Sequence, residues 1–128
     1  MGYKFRARCL ECGHRFIGSV GNGFFTILTH CDECGKEKMM SFDKFPEAHR
    51  QFVKGLDVPY STVTMDIDSA IQKDNTIEPI SEEEYHRRIG EVAGNCKCGG
   101  SFEVDAPPRC PKCHSDNYIE RETTLHWD

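Results

Sequence analysis

The chain has 128 residues, a formal net charge of −5 and 38% hydrophobic residues. This length allows one domain or two very small ones, and the apolar content is modest for a core that must stand unaided. No apolar run reaches the roughly 18 residues of a membrane span. The acidic balance disfavours generic nucleic-acid affinity, which comes from Lys and Arg neutralising phosphates.

Residues 3–9 alternate, with Tyr3, Phe5 and Ala7 on one side and Lys4, Arg6 and Arg8 on the other. This is the pattern of a half-buried strand. Its basic side reads as a solvated face, with a phosphate-binding stripe as the alternative. Cys9-Leu10-Glu11-Cys12-Gly13 follows. Residues 15–20 and 24–29 flank Gly21-Asn22-Gly23, which reads as a hairpin leading into Cys31-Asp32-Glu33-Cys34-Gly35. Residues 39–42 add a further strand.

Residues 43–95 contain no cysteine and hold the acidic excess, with six basic and eleven acidic groups. Phe45, Ala48, Phe52 and Leu56 recur at helical spacing, so residues 46–54 are expected to be a helix stopped by Gly55. Residues 60–67 are β-branched and alternating, a strand by the same logic, and 68–73 form a turn of helix. Ser81-Glu82-Glu83-Glu84 is a capping box, opening a helix through Tyr85, Ile89 and Val92 to Gly94. Glu83-x-x-His86 has the spacing of a di-iron ligand pair, but such a centre needs a second copy and two more Glu on four inward helices. A solvated helix face is the better reading. The segment is too apolar for a flexible spacer and is expected to pack against both ends of the chain.

Cys96-Lys97-Cys98-Gly99-Gly100 comes next, then a strand at 101–105, a break at Ala106-Pro107-Pro108, and Cys110-Pro111-Lys112-Cys113. Residues 118–127 read as a long return strand with Ile119, Thr123, Leu125 and Trp127 on one face.

All eight cysteines thus fall in four close pairs: Cys9/Cys12, Cys31/Cys34, Cys96/Cys98 and Cys110/Cys113. Two such turns facing each other offer four thiolates at tetrahedral corners, the geometry zinc accepts. Disulfides are the competing reading. Against them, the first residues carry no apolar run of a secretory signal, and bridges within a Cys-x-x-Cys would staple nothing distant. Thiolate ligands fit a reducing cytoplasm. Sequential pairing is expected, Cys9, Cys12, Cys31 and Cys34 in one site and Cys96, Cys98, Cys110 and Cys113 in the other. It spans gaps of 18 and 11 residues, whereas interleaved sites must close over the 61 residues between Cys34 and Cys96. Two zinc ions are expected per chain, and two filled sites, each contributing −2, take the charge to −9. His30 and His114 each stand beside a ligand, in a supporting or surface role, with ligand substitution as the alternative.

The first unit resembles the FmdB-type regulatory zinc ribbons. Tyr3, Phe5 and Arg8 before Cys9, then Cys12-Gly13-His14-Arg15-Phe16, Cys31 and Cys34-Gly35, carry the likeness over about 35 residues. It implies a ribbon with four cysteine ligands and transfers no specific activity. The last unit looks like the ribbons of many bacterial and archaeal proteins. It departs from them at Cys96-x-Cys98, one residue short, and at His114, where Gly is usual.

The expected fold is therefore small α+β: two four-cysteine zinc ribbons built on β-hairpins, 1–42 and 96–128, joined by an acidic helix/strand segment, 43–95. Four cysteines saturate tetrahedral zinc, and no other constellation offers a nucleophile, so a non-enzymatic adaptor with protein partners is expected. One alternative is a nucleic-acid-associated ribbon using Lys4, Arg6, Arg8 and Arg15. Another is a rubredoxin-like electron carrier with iron in place of zinc.

Overall fold

The structure, a computed structural model, describes residues 2–127; Met1 and Asp128, the outer bounds of the expected units, lie outside the described residues. The fold is small α+β, with three α-helices and two three-stranded antiparallel sheets. The strands are β1 (Gly2–Cys9), β2 (Arg15–Val20), β3 (Thr26–Cys31), β4 (Glu37–Ser41), β5 (Phe102–Glu103) and β6 (Tyr118–Trp127). The helices are α1 (Pro46–Lys54), α2 (Met65–Lys73) and α3 (Glu82–Ala93), and a short 3-10 turn covers Phe42–Lys44.

One sheet has the order β2-β1-β6, the other β4-β3-β5. Each is thus built the same way. A first strand runs into a cysteine turn, the chain returns as the hairpin partner, and a strand from the far end of the chain pairs on the other side. The hairpins lie across the cysteine turns, with Arg8 opposite Arg15 and His30 opposite Glu37. The hairpin expected across Gly21-Asn22-Gly23 is not formed. An isolated bridge between Asn22 and Ile27 and a turn bond from the Gly23 N–H to Thr26 O stand there instead, and the Gly-Asn-Gly segment carries the chain from one sheet to the other. The cysteine turns prevail because each closes its own hydrogen bonds, leaving β2 to pair with β1.

The sequential ribbons 1–42 and 96–128 are also replaced. β6 joins β1 over its full length, Gly2 opposite Trp127 to Cys9 opposite Tyr118, and β5 joins β3 through His30–Glu103 and Cys31–Phe102. Both sheets draw strands from both ends of the chain.

The main core lies between the β4-β3-β5 sheet and the helices: Ile27 and Met40 from the sheet, Phe45 and Ala48 at α1, Tyr85, Ile89 and Ala93 from α3, and Phe102 from β5. Burying each large apolar side chain contributes about 1.5–3 kcal/mol. Phe52 stacks on Tyr85 at 4.2 Å between ring centroids, and Phe42 stacks on His49 at 4.0 Å. The middle segment, expected to pack against both ends of the chain, thus packs on the β4-β3-β5 sheet. The other sheet has a smaller core in which Phe5 and Tyr118 stack at 5.8 Å and Phe16 meets Tyr118 edge-on.

Two helix boundaries follow from capping. Ser81 accepts a hydrogen bond from the Glu84 N–H at 3.1 Å, and Gly94, with φ of 80°, ends α3. The inward stripe of α3 is Tyr85, Ile89 and Ala93, while Val92 points outward. The expected strand at 60–67 is corrected. Residues 60–64 are a turn, and α2 begins at Met65. A local polar network decides this. The buried Asp68 carboxylate accepts from the Tyr60 N–H at 2.9 Å and from the Thr64 hydroxyl at 2.5 Å, and Ser61 Oγ accepts from the Thr64 N–H at 3.1 Å. Ser and Thr side chains that bond nearby backbone in this way favour a helix start over a strand.

Candidate metal centres

Each close cysteine pair sits on a tight turn closed by the same two backbone bonds. In the first, the Cys9 N–H donates to His14 O and the Gly13 N–H to Cys9 O; in the second, Cys31 donates to Lys36 O and Gly35 to Cys31 O. The fourth repeats this with Cys110 to Ser115 O and His114 to Cys110 O. The third, one residue shorter, closes with Cys96 to Gly100 O and Gly99 to Cys96 O. The residue after the second cysteine takes positive φ in all four: Gly13 at 78°, Gly35 at 76°, Gly99 at 101° and His114 at 64°. His114 is the one described non-glycine residue with positive φ, so the departure noted in the sequence keeps the turn at some conformational cost.

The turns combine first with fourth and second with third. Cys9, Cys12, Cys110 and Cys113 form one set and Cys31, Cys34, Cys96 and Cys98 the other, with the sulfurs of each set within 4.8 Å of one another. This corrects the sequential pairing and the ligand set implied by the FmdB-type likeness. The reason is quantitative. Closing a loop of the observed size, with Cys12 and Cys110 98 positions apart, instead of the short one costs only about 1.5 kcal/mol more. A bound structural metal contributes on the order of 10 kcal/mol, and sheet pairing and core burial, not loop length, choose the partners.

Matching backbone clamps hold the turns together. The Leu10 N–H donates to Asn117 O at 2.9 Å in one set, and the Asp32 N–H donates to Ser101 O at 2.9 Å in the other. Each donor is the residue directly after the set's first cysteine. The chain at Gly100 passes so close to the second set that a Cβ there would lie 2.6 Å from Cys31 Sγ. The third turn therefore needs a second glycine.

The sulfur distances fit a metal. Cys9–Cys113 is 3.5 Å, Cys12–Cys110 3.7 Å, Cys31–Cys98 3.4 Å and Cys34–Cys96 3.7 Å. A tetrahedron of sulfurs about 2.3 Å from a central ion has edges of about 3.8 Å. All eight thiols are free, so no disulfide competes. In each set the first cysteine is buried and set up to ionise. N–H groups, that of Cys12 foremost, bring Cys9 down to about 7. Burial opposes ionisation of Cys31, but the Cys34 and Glu33 N–H groups outweigh it and bring this thiol also to about 7. The Gly100 N–H favours a Cys98 thiolate, yet the neighbouring thiols, Cys31 first, push Cys98 up to about 12. Cys113 is likewise pushed up to about 12 despite the Ser115 N–H. Cys9 and Cys31 thus ionise readily, whereas Cys98 and Cys113 need a cation beside them to do so.

The remaining candidates fall outside both sets. His30 is buried, its Nε2 4.0 Å from a Glu37 carboxylate oxygen, and burial pushes its pKa down. His114 is exposed and lines a surface recess with Cys34 and Cys98 of the other set. Both therefore stand beside the ligands. His86 bonds Asp105 at 3.1 Å and lies 3.8 Å from Glu82, and Glu83 is exposed, so no di-iron pair forms here. Sequence reasoning missed the clamping role of Asn117 and Ser101, which carry no type-specific signal because they act through backbone carbonyls. Among the described residues, no helix is long and apolar enough to cross a membrane.

Comparison with curated proteins and with solved structures gave no match. A family model matches residues 5–119, from within β1 to the second residue of β6, taking in all eight cysteines. No FmdB-type match accompanies it. The chain therefore belongs to the family described as Domain of unknown function (DUF8255).

Proposed function

We propose that this chain is a non-enzymatic zinc-binding protein whose two metals are structural, and that it acts as a cytoplasmic interaction or regulatory module. The observation that carries this reading is the completeness of both sulfur sets. Four thiolates fill the four positions of tetrahedral zinc, so neither metal retains a place for an activated water or a substrate. Zinc is favoured over iron because a structural role asks only for a closed tetrahedral site with no redox change. Each ion ties together segments from opposite ends of the chain, where a small fold gains most from a staple.

Function then lies on the faces that the metals hold in place. Metal analysis of freshly purified protein tests the reading. Two equivalents of zinc and a colourless sample support it. A red protein carrying iron would make it an electron carrier, and one equivalent or none would overturn the two-site scaffold.

A further inference from the structure

The outer face of the β2-β1-β6 sheet carries charge that the fold does not explain. Arg8 and Arg15 stand directly opposite each other across the β1–β2 hairpin, and both are exposed. Like charges in this relation are destabilising. Among the described residues neither has a carboxylate within ion-pair distance, whereas Arg6 lies 3.5 Å from Glu122. Arg6, Arg8, Arg15 and Arg121 border one shallow concavity of about 560 Å³, which Ile17 and the Arg6-paired Glu122 also line. Ile17 is 62% exposed. Lys4, Arg6 and Arg8 repeat on alternate residues of β1, one cation about every 6.7 Å, in a chain whose net charge is −5.

We infer that this face binds single-stranded nucleic acid through its phosphate backbone. The Arg8–Arg15 pair would clamp one phosphate between two guanidinium forks, which suit the bidentate geometry of phosphate oxygens. Lys4 and Arg6 would follow the next charges, and Ile17 offers an apolar rest for a base or sugar. A ladder of cations at regular spacing suits a polymer with one charge per repeating unit better than the irregular carboxylates of an acidic protein. Single strands are favoured over duplex because α1 and α3 pack on the other sheet, so this flat face presents no helix to enter a major groove. The acidic remainder of the surface confines binding to this face. The inference rests on the structural-metal reading, in which the Cys9, Cys12, Cys110 and Cys113 set holds this sheet, and it gives the proposed module its partner.

Fluorescence anisotropy with the zinc-loaded full chain and a labelled oligothymidylate of about 20 nucleotides tests it. Zinc content is measured on the same samples. Binding should weaken with salt, with a log–log slope of about −2 for three phosphate contacts. Arg8→Ser/Arg15→Ser should weaken binding at least about tenfold and reduce the slope by about 0.7, the share of the one phosphate they clamp. It should keep two zinc ions, and its resistance to urea should be unchanged or raised, because a repulsive pair is gone. Absence of binding at low salt by a two-zinc protein overturns the inference alone. Equal binding by the double variant, preference for a duplex of the same length, or displacement of the oligonucleotide by polyglutamate at equal charge concentration would also overturn it, the last by pointing to an acidic protein. A zinc content other than two would instead overturn the structural-metal reading.

Discussion

Gly35 lies against Arg109. A Cβ built on Gly35 would come within 2.5 Å of Arg109 Cβ and 2.7 Å of the Arg109 backbone nitrogen. Gly35 follows a ligand of one metal set, and Arg109 precedes a ligand of the other, so the two centres touch through this contact.

A matched pair of substitutions isolates that contact. Gly13 has φ of 78° and nothing near its would-be Cβ, while Gly35 has φ of 76° and the Arg109 backbone. Gly13→Ala should lower unfolding stability by about 1 kcal/mol, the cost of a side chain at left-handed φ. Gly35→Ala should cost about 2–3 kcal/mol, because steric overlap with backbone adds to the same strain. Urea unfolding of the zinc-loaded proteins gives both values. Equal losses would mean that the centres are not packed against each other.

Asp68 is the anchor of the turn before α2. It is 2% exposed and accepts from the Tyr60 N–H and the Thr64 hydroxyl. Asp68→Ala leaves buried donors without partners and should cost about 2–3 kcal/mol, with α1 and both metal sites retained. Urea unfolding and zinc content measure the two parts of this claim. A loss below about 0.5 kcal/mol, the usual range of surface substitutions, would show that the network does not hold the segment.

His49 sets a pH limit. It stacks on Phe42, and its Nδ1 lies 2.7 Å from the Tyr85 hydroxyl. Burial pushes its pKa below the ordinary histidine value, with the Asp68 charge opposing. The unfolded chain therefore takes up the proton more readily than the folded one. The stability that neutral His49 contributes is present above the unfolded value of about 6.5 and is lost as pH falls through the lower folded value. Resistance to urea should drop between pH 7.5 and pH 5.5, and His49→Phe/Tyr85→Phe should drop less. Acid weakening of the metal sites acts on both proteins and cancels in the comparison. Parallel curves would contradict this role for His49.

Much of the fold is legible in the sequence because it is local. The Cys-x-x-Cys-Gly turns, the alternation before Cys9, the helix stopped at Gly55 and the Ser81 capping box each act within a few residues. What was not legible is tertiary. The four turns are near equivalents, and loop-closure entropy separates their pairings by only about 1.5 kcal/mol per site. The choice falls to β6, which is long enough to match all of β1, and to Phe102, which carries β5 into the helix-side core. Gly21-Asn22-Gly23 has hairpin chemistry, but two cysteine turns already supply the hairpins. Residues 60–67 have strand composition, but Asp68 takes the Tyr60 N–H and the Thr64 hydroxyl, and α2 begins at Met65.

The nested pairing is tested most directly by ¹¹³Cd NMR of cadmium-loaded double variants. Cys12→Ser/Cys113→Ser removes two ligands from one set and none from the other. It should keep a single resonance at the position of a four-thiolate site. Cys12→Ser/Cys34→Ser removes one ligand from each set and should leave no four-thiolate resonance. Sequential pairing predicts the reverse: a surviving four-thiolate resonance in Cys12→Ser/Cys34→Ser and none in Cys12→Ser/Cys113→Ser would contradict the arrangement of both metal centres.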